Sequence, residues 1–90
     1  MALFIVERRY AEQLEPSIEA ADEINRINDE EGVRWLMSFL SADKRKTYCL
    51  YEAESAEAIV RAALRAGLPA DVITEVTDRV LPDGSLAPVV

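Results

Sequence analysis

Between Val33 and Ala53 two apolar runs are joined by a short charged segment, and no other stretch limits the fold as strongly. Val33 to Leu40 and Thr47 to Tyr51 are rich in aromatic, β-branched and other apolar residues, the composition of strands. Ser41-Ala42-Asp43-Lys44-Arg45-Lys46 between them is polar and short enough to be a hairpin loop. Alternation places Val33, Trp35, Met37 and Phe39 on one face of the first run and Arg34, Leu36, Ser38 and Leu40 on the other. In the second run Thr47, Cys49 and Tyr51 alternate with Tyr48, Leu50 and Glu52. Both faces carry large apolar groups, so both faces of the sheet need a cover.

An amphipathic helix pattern and then a further strand pattern flank this hairpin on each side. Ala2 to Arg8 reads as a strand with Leu3, Ile5 and Glu7 on one face and Phe4, Val6 and Arg8 on the other. Arg9 to Glu15 is a polar connection, and Pro16 suits the first turn of a helix. Ser17 to Glu31 is that helix, with Ile18, Ala21, Ile24 and Ile27 as the inward stripe and Gly32 as its stop. Asp29, Glu30 and Glu31 crowd its C-terminal turn, where the helix dipole disfavours negative charge. The second helix has Ser55 as N-cap, Ala56, Ile59, Val60, Ala63 and Leu64 as its stripe, and Gly67 as its end. Val72 to Val80 is the last strand, followed by a Pro82-Asp83-Gly84 turn and a short apolar tail.

The order is βαββαβ. Two split βαβ units of this kind make an α+β ferredoxin-like domain: a four-stranded antiparallel sheet in the order 4-1-3-2 with both helices on one face. Residues 1–90 form one such domain, with 81–90 as a C-terminal tail. A chain this short buries only about 60–65% of its unfolded surface. Half of its residues are hydrophobic, and the helices cover only one side. A second copy is the economical cover for the other, so the expectation is a homodimer, with two sheets meeting as a dimeric α+β barrel or pairing at an edge.

Composition excludes several functions. Seventeen acids against ten bases give a net charge of −7, which disfavours nucleic acid and anionic membranes as partners. No run approaches the roughly 18 apolar residues of a membrane span. One cysteine and no visible signal peptide point to a cytoplasmic protein. The absence of histidine removes Ser-His-Asp and Cys-His catalysis and the commonest transition-metal ligand.

Several segments resemble one known family. They are Val6-Glu7-Arg8, Trp35 with Ser38, Ser41 through Cys49, Gly67-Leu68-Pro69, and Ile73-Thr74-Glu75-Val76. The sequence is similar there to a family of small bacterial proteins long classed as a domain of unknown function, one member of which is described as nickel-binding. The resemblance covers most of the chain and implies a ferredoxin-like fold, a dimer and, as cofactor, a divalent transition metal such as nickel. Many members place a histidine where this chain has Met37.

Candidate site residues follow from chemistry set among apolar neighbours. Glu7 is a carboxylate late in a central strand, suited to a general base or a hard-metal ligand, or else to a strand-end pair with Arg8, Arg34 or Lys46. Trp35, Met37 and Phe39 form a pocket wall or a packing face. Cys49 is a thiol within a strand, and Tyr48 and Tyr51 offer hydroxyls on opposite faces. The leading expectation is a homodimer that binds a small molecule or metal beside a sheet face lined by Glu7, Trp35, Met37, Cys49 and Tyr51. Glu7, Met37 and Cys49 are its metal donors. The alternative is a small cofactor-free enzyme of isomerase, cyclase or oxygenase type, using Glu7 or a tyrosine as acid–base. A third reading is an interaction module whose sheet face is consumed by dimerisation.

Overall fold

The computed structural model describes the whole chain, Met1 to Val90. Its elements run β1 (Ala2–Arg9), α1 (Ile18–Glu30), β2 (Arg34–Leu40), β3 (Lys46–Ala53), α2 (Ala56–Ala66), β4 (Val72–Val76), β5 (Asp78–Val80) and β6 (Leu86–Pro88). The main sheet has the order β2-β3-β1-β4, antiparallel throughout, with β1 and β3 central as expected. β1 meets β3 in unbroken register from Ala2 opposite Ala53 to Arg9 opposite Lys46. Alternation from that register puts Phe4, Val6, Cys49, Tyr51 and Ala53 on one face, where they form the core with Ile27 of α1 and Ala58, Ile59 and Ala62 of α2. No helix is long and apolar enough to cross a membrane.

Both helices begin as the sequence predicts. Ser17 Oγ accepts from the Ala20 amide and Ser55 Oγ from the Ala58 amide, so each serine satisfies an orphan donor of its first turn. Pro16 stands just before the cap rather than inside the first turn. Gly67, in the left-handed region at φ +68°, closes α2 and lets the Leu68 amide reach back to the Ala63 carbonyl.

The buried stripes differ from those expected. In α1 only Ile27 and Asn28 are buried, while Ile18 is 78% exposed. In α2 the buried residues are Ala58, Ile59, Ala62 and Ala63, and Val60 and Leu64 face solvent. Alanines bring the α2 backbone close to the sheet, and the larger apolar side chains one position away fall outside the contact. The last strand also ends early, at Val76. The chain then folds into a separate antiparallel hairpin, β5 with β6, so residues 86–88 of the expected tail are a strand.

The acidic end of α1 has a partner. Arg65 of α2 contacts Glu30 and Glu31, Arg61 contacts Glu31, and Arg26 contacts Glu30. Cations from the neighbouring helix thus offset the unfavourable dipole. The β2–β3 loop is held as tightly. Asp43 Oδ1 accepts from Ser41 Oγ and the Arg45 amide, and Lys44 sits at φ +62°. The Lys44 and Arg45 carbonyls then receive the Leu14 and Tyr10 amides, which ties the β1–α1 connection to the hairpin tip.

Two outcomes are expected. Lys44→Gly removes a left-handed non-glycine residue from an exposed turn and raises stability by about 1 kcal/mol in urea unfolding; a lower midpoint would mean the lysine side chain matters more than its strain. Hydrogen bonds from Arg65, with Arg26 acting on Glu30 and Arg61 on Glu31, hold both carboxyls below their ordinary value of 4.5. A lowered folded value means the stabilisation is complete above about pH 4.5 and is lost as pH falls through that lowered value. Glu31→Gln is therefore destabilising at pH 7, and its difference from the unmodified chain shrinks in urea titrations on acidification to about pH 3 and in high salt.

Candidate functional site

A chamber of about 280 Å³ opens between the sheet and the N-terminal half of α1. It exists because α1 packs onto the core only near its C-terminal end, through Ile27, while Ala20, Ala21 and Ile24 lie over open space as its roof. Arg8 of β1 and Thr47, Cys49 and Tyr51 of β3 form part of the floor. Trp35, Ser38 and Leu40 of β2 continue it. The connection pinned to the hairpin tip supplies a side wall through Tyr10, Leu14 and Pro16, and Leu68 closes another side.

A β-bulge decides what β2 contributes. Trp35 lies opposite Tyr51, but Met37 lies opposite Leu50, so one residue of β2 goes unmatched between them. The extra residue reverses the alternation. Trp35, Ser38 and Leu40 share the chamber side, and Met37 and Phe39 fall on the open face. Trp35 Nε1 donates to Ser38 Oγ at 2.8 Å across the irregularity, which fixes the indole along the floor.

The polar groups of the floor interlock. Arg8 is 3% exposed as a residue, and its guanidinium donates to the Pro69 carbonyl and, at 3.0 Å, to Tyr51 Oη. It also stands 5.5 Å from the centroid of the Tyr51 ring. Tyr10 Oη and Thr47 Oγ1 are 3.0 Å apart, and Cys49 Sγ donates to Thr47 Oγ1 at 3.4 Å. Burial pushes the Tyr51 phenol above its usual value, with Arg8 opposing, and burial likewise raises Tyr10 against the Thr47 hydrogen bond. Both hydroxyls are therefore neutral at physiological pH and do not balance the charge of Arg8.

The residues expected to form one site fall on two faces. Trp35, Cys49 and Tyr51 line the chamber. Glu7 and Met37 lie on the far side of the sheet, because Glu7 pairs with Tyr48 and Cys49 pairs with Val6 in the central register. The expected face shared by Trp35 and Met37 is undone by the bulge. The metal set of Glu7, Met37 and Cys49 consequently does not converge within one chain, and no three cysteine, aspartate or glutamate side chains are grouped so that they could hold a metal ion. Arg8, Tyr10, Ser38 and Thr47, which were not among the expected candidates, also line the chamber. The face Phe4-Val6-Arg8 carried the signal for Arg8, since alternation continues the buried side through it.

Comparison with known proteins agrees with this architecture. The family model described as "Nickel responsive protein SCO4226-like" matches residues 4–76, from β1 through β4. Among solved structures the chain is similar to SCO4226 from Streptomyces coelicolor A3(2), at 30% sequence identity and a TM-score of 0.73, over 83% of this chain and 95% of that one. No curated protein matches. A match that takes in the whole four-stranded sheet and both helices shows that the chain belongs to the SCO4226-like family of nickel-responsive proteins.

Proposed function

We propose that this chain is a small-ligand-binding member of its family, that it works as a homodimer, and that the chamber under α1 is the ligand site. The chamber carries the proposal. It is concave and mostly apolar, and the hydroxyl and guanidinium groups of its floor converge on it, the usual constitution of a small-molecule site.

Nickel is the natural candidate from the family's description, and the donors present do not suit it. Nickel favours imidazole and mixed nitrogen–oxygen sets. This chain has no histidine, its thiol is buried beneath the helices, and Glu7 and Met37 stand across the sheet from that thiol. An organic ligand fits the chamber walls better than a cation does. The enzyme reading also loses Glu7, which lies outside the chamber.

The homodimer rests on the uncovered side of the sheet. Phe39 is 67% exposed and Met37 49%, Tyr48 is exposed opposite Phe39, and Val72 is exposed at the far edge of the same face, opposite Glu7. The β5–β6 hairpin adds Val80 and Leu86, which are exposed and belong to no core cluster. An exposed apolar sheet face and exposed apolar side chains on the hairpin of the same chain suit a second copy, which can bury both.

Native mass spectrometry on protein purified without chelator tests both halves. The expected species is a dimer with an organic adduct on each chain, unchanged by Met37→Leu. A metal-sized adduct lost in that variant would replace the chamber with a metal site. Phe39→Asp, on an exposed position, is expected to give a folded monomer in size-exclusion chromatography with light scattering; a persistent dimer would remove the sheet face from the interface.

A further inference from the structure

Every ion pair of the chain joins Arg26, Arg61 or Arg65 to a glutamate. Arg8 is the arginine buried at the floor of the chamber, and it takes part in none of them. Its hydrogen-bond partners, the Pro69 carbonyl and the Tyr51 hydroxyl, are neutral. A guanidinium has five N–H donors, and these two bonds leave three of them free. The one carboxylate on the chamber wall, Glu15, is exposed and makes no pair with it. A buried charge without a counter-charge is costly, and buried charges are ordinarily paired. The imbalance is local, because the chain as a whole has a net charge of −7.

We infer that the chamber takes a small organic carboxylate with an apolar body, and that Arg8 is its counter-charge. This rests on the chamber being a ligand site, as proposed above. One cation matches one negative charge, and a guanidinium fork matches a carboxylate in geometry. The rest of the enclosure selects the body of the ligand. Trp35, Leu14, Ile24, Leu40 and Leu68 offer apolar and aromatic surface. A multiply charged phosphate would need further cations, and the chamber has none. Tyr51 orients the guanidinium through its hydroxyl and ring, and Tyr10 stands on the side wall with its hydroxyl 3.0 Å from Thr47 Oγ1.

Trp35 is the sole tryptophan and lines the chamber, so its fluorescence reports occupancy independently of Arg8. The probes are phenylacetate and its uncharged counterpart phenylacetamide, titrated into the purified full chain. The expected result is a saturable change in Trp35 emission with phenylacetate and binding at least about tenfold weaker for the amide. Arg8→Met is expected to abolish that preference. If that variant does not fold, Arg8→Lys keeps the charge without the fork and is expected to retain only part of it. Equal binding of acid and amide by the unmodified chain would overturn the role of Arg8 and leave the chamber as a site for neutral ligands. No emission change with either probe would overturn the chamber reading and this inference with it.

Discussion

The register between β1 and β3 is the constraint on which the other features rest. It is unbroken over the length of both strands, and it assigns every side chain of the two central strands to the helix side or the open side. A shift of one residue would move Phe4, Val6 and Arg8 out from under the helices and bring Leu3, Ile5 and Glu7 in. The core, the buried arginine and the open face are three results of one pairing. The hairpin loop supports that pairing from outside, because its carbonyls hold the connection that follows β1.

The bulge in β2 acts on top of this frame. A regular strand would carry Trp35, Met37 and Phe39 together to a single side. The additional residue instead divides them, giving the chamber an indole and a serine and giving the open face a thioether and a phenyl ring. One irregularity therefore equips two separate surfaces, and it sits beside the site, where bulges commonly re-aim side chains.

The architecture was legible because each of its signals is local and repeated. Ser17 and Ser55 mark helix starts, Gly67 marks an end, and apolar residues on both faces of Ala2 to Arg8 mark a central strand. The pairs of Glu30 and Glu31 with Arg61 and Arg65 were not legible, since they join residues about thirty positions apart that meet only after the helices pack. The expected candidate residues divide between two faces of the sheet. Trp35, Cys49 and Tyr51 lie together on the chamber; Met37 was grouped with them by an alternation that a bulge interrupts, and Glu7 is parted from them by the β1–β3 register, which sets it opposite Tyr48 on the far face. Arg8 escaped notice because a charged residue near a strand end ordinarily leads out to water.

The fastening of α1 is uneven. Its C-terminal end is buried at Ile27 and Asn28 and clamped by arginines of α2, whereas its N-terminal half spans a void and leans on a serine cap and a loop. Local opening follows the distribution of buried contacts, so the helix is rigid at one end and compliant at the other. The compliant end is the roof of the chamber. On the proposal that the chamber holds a ligand, a small swing of the first turns about the anchored tail would fit guests of differing bulk without disturbing the central pairing beneath.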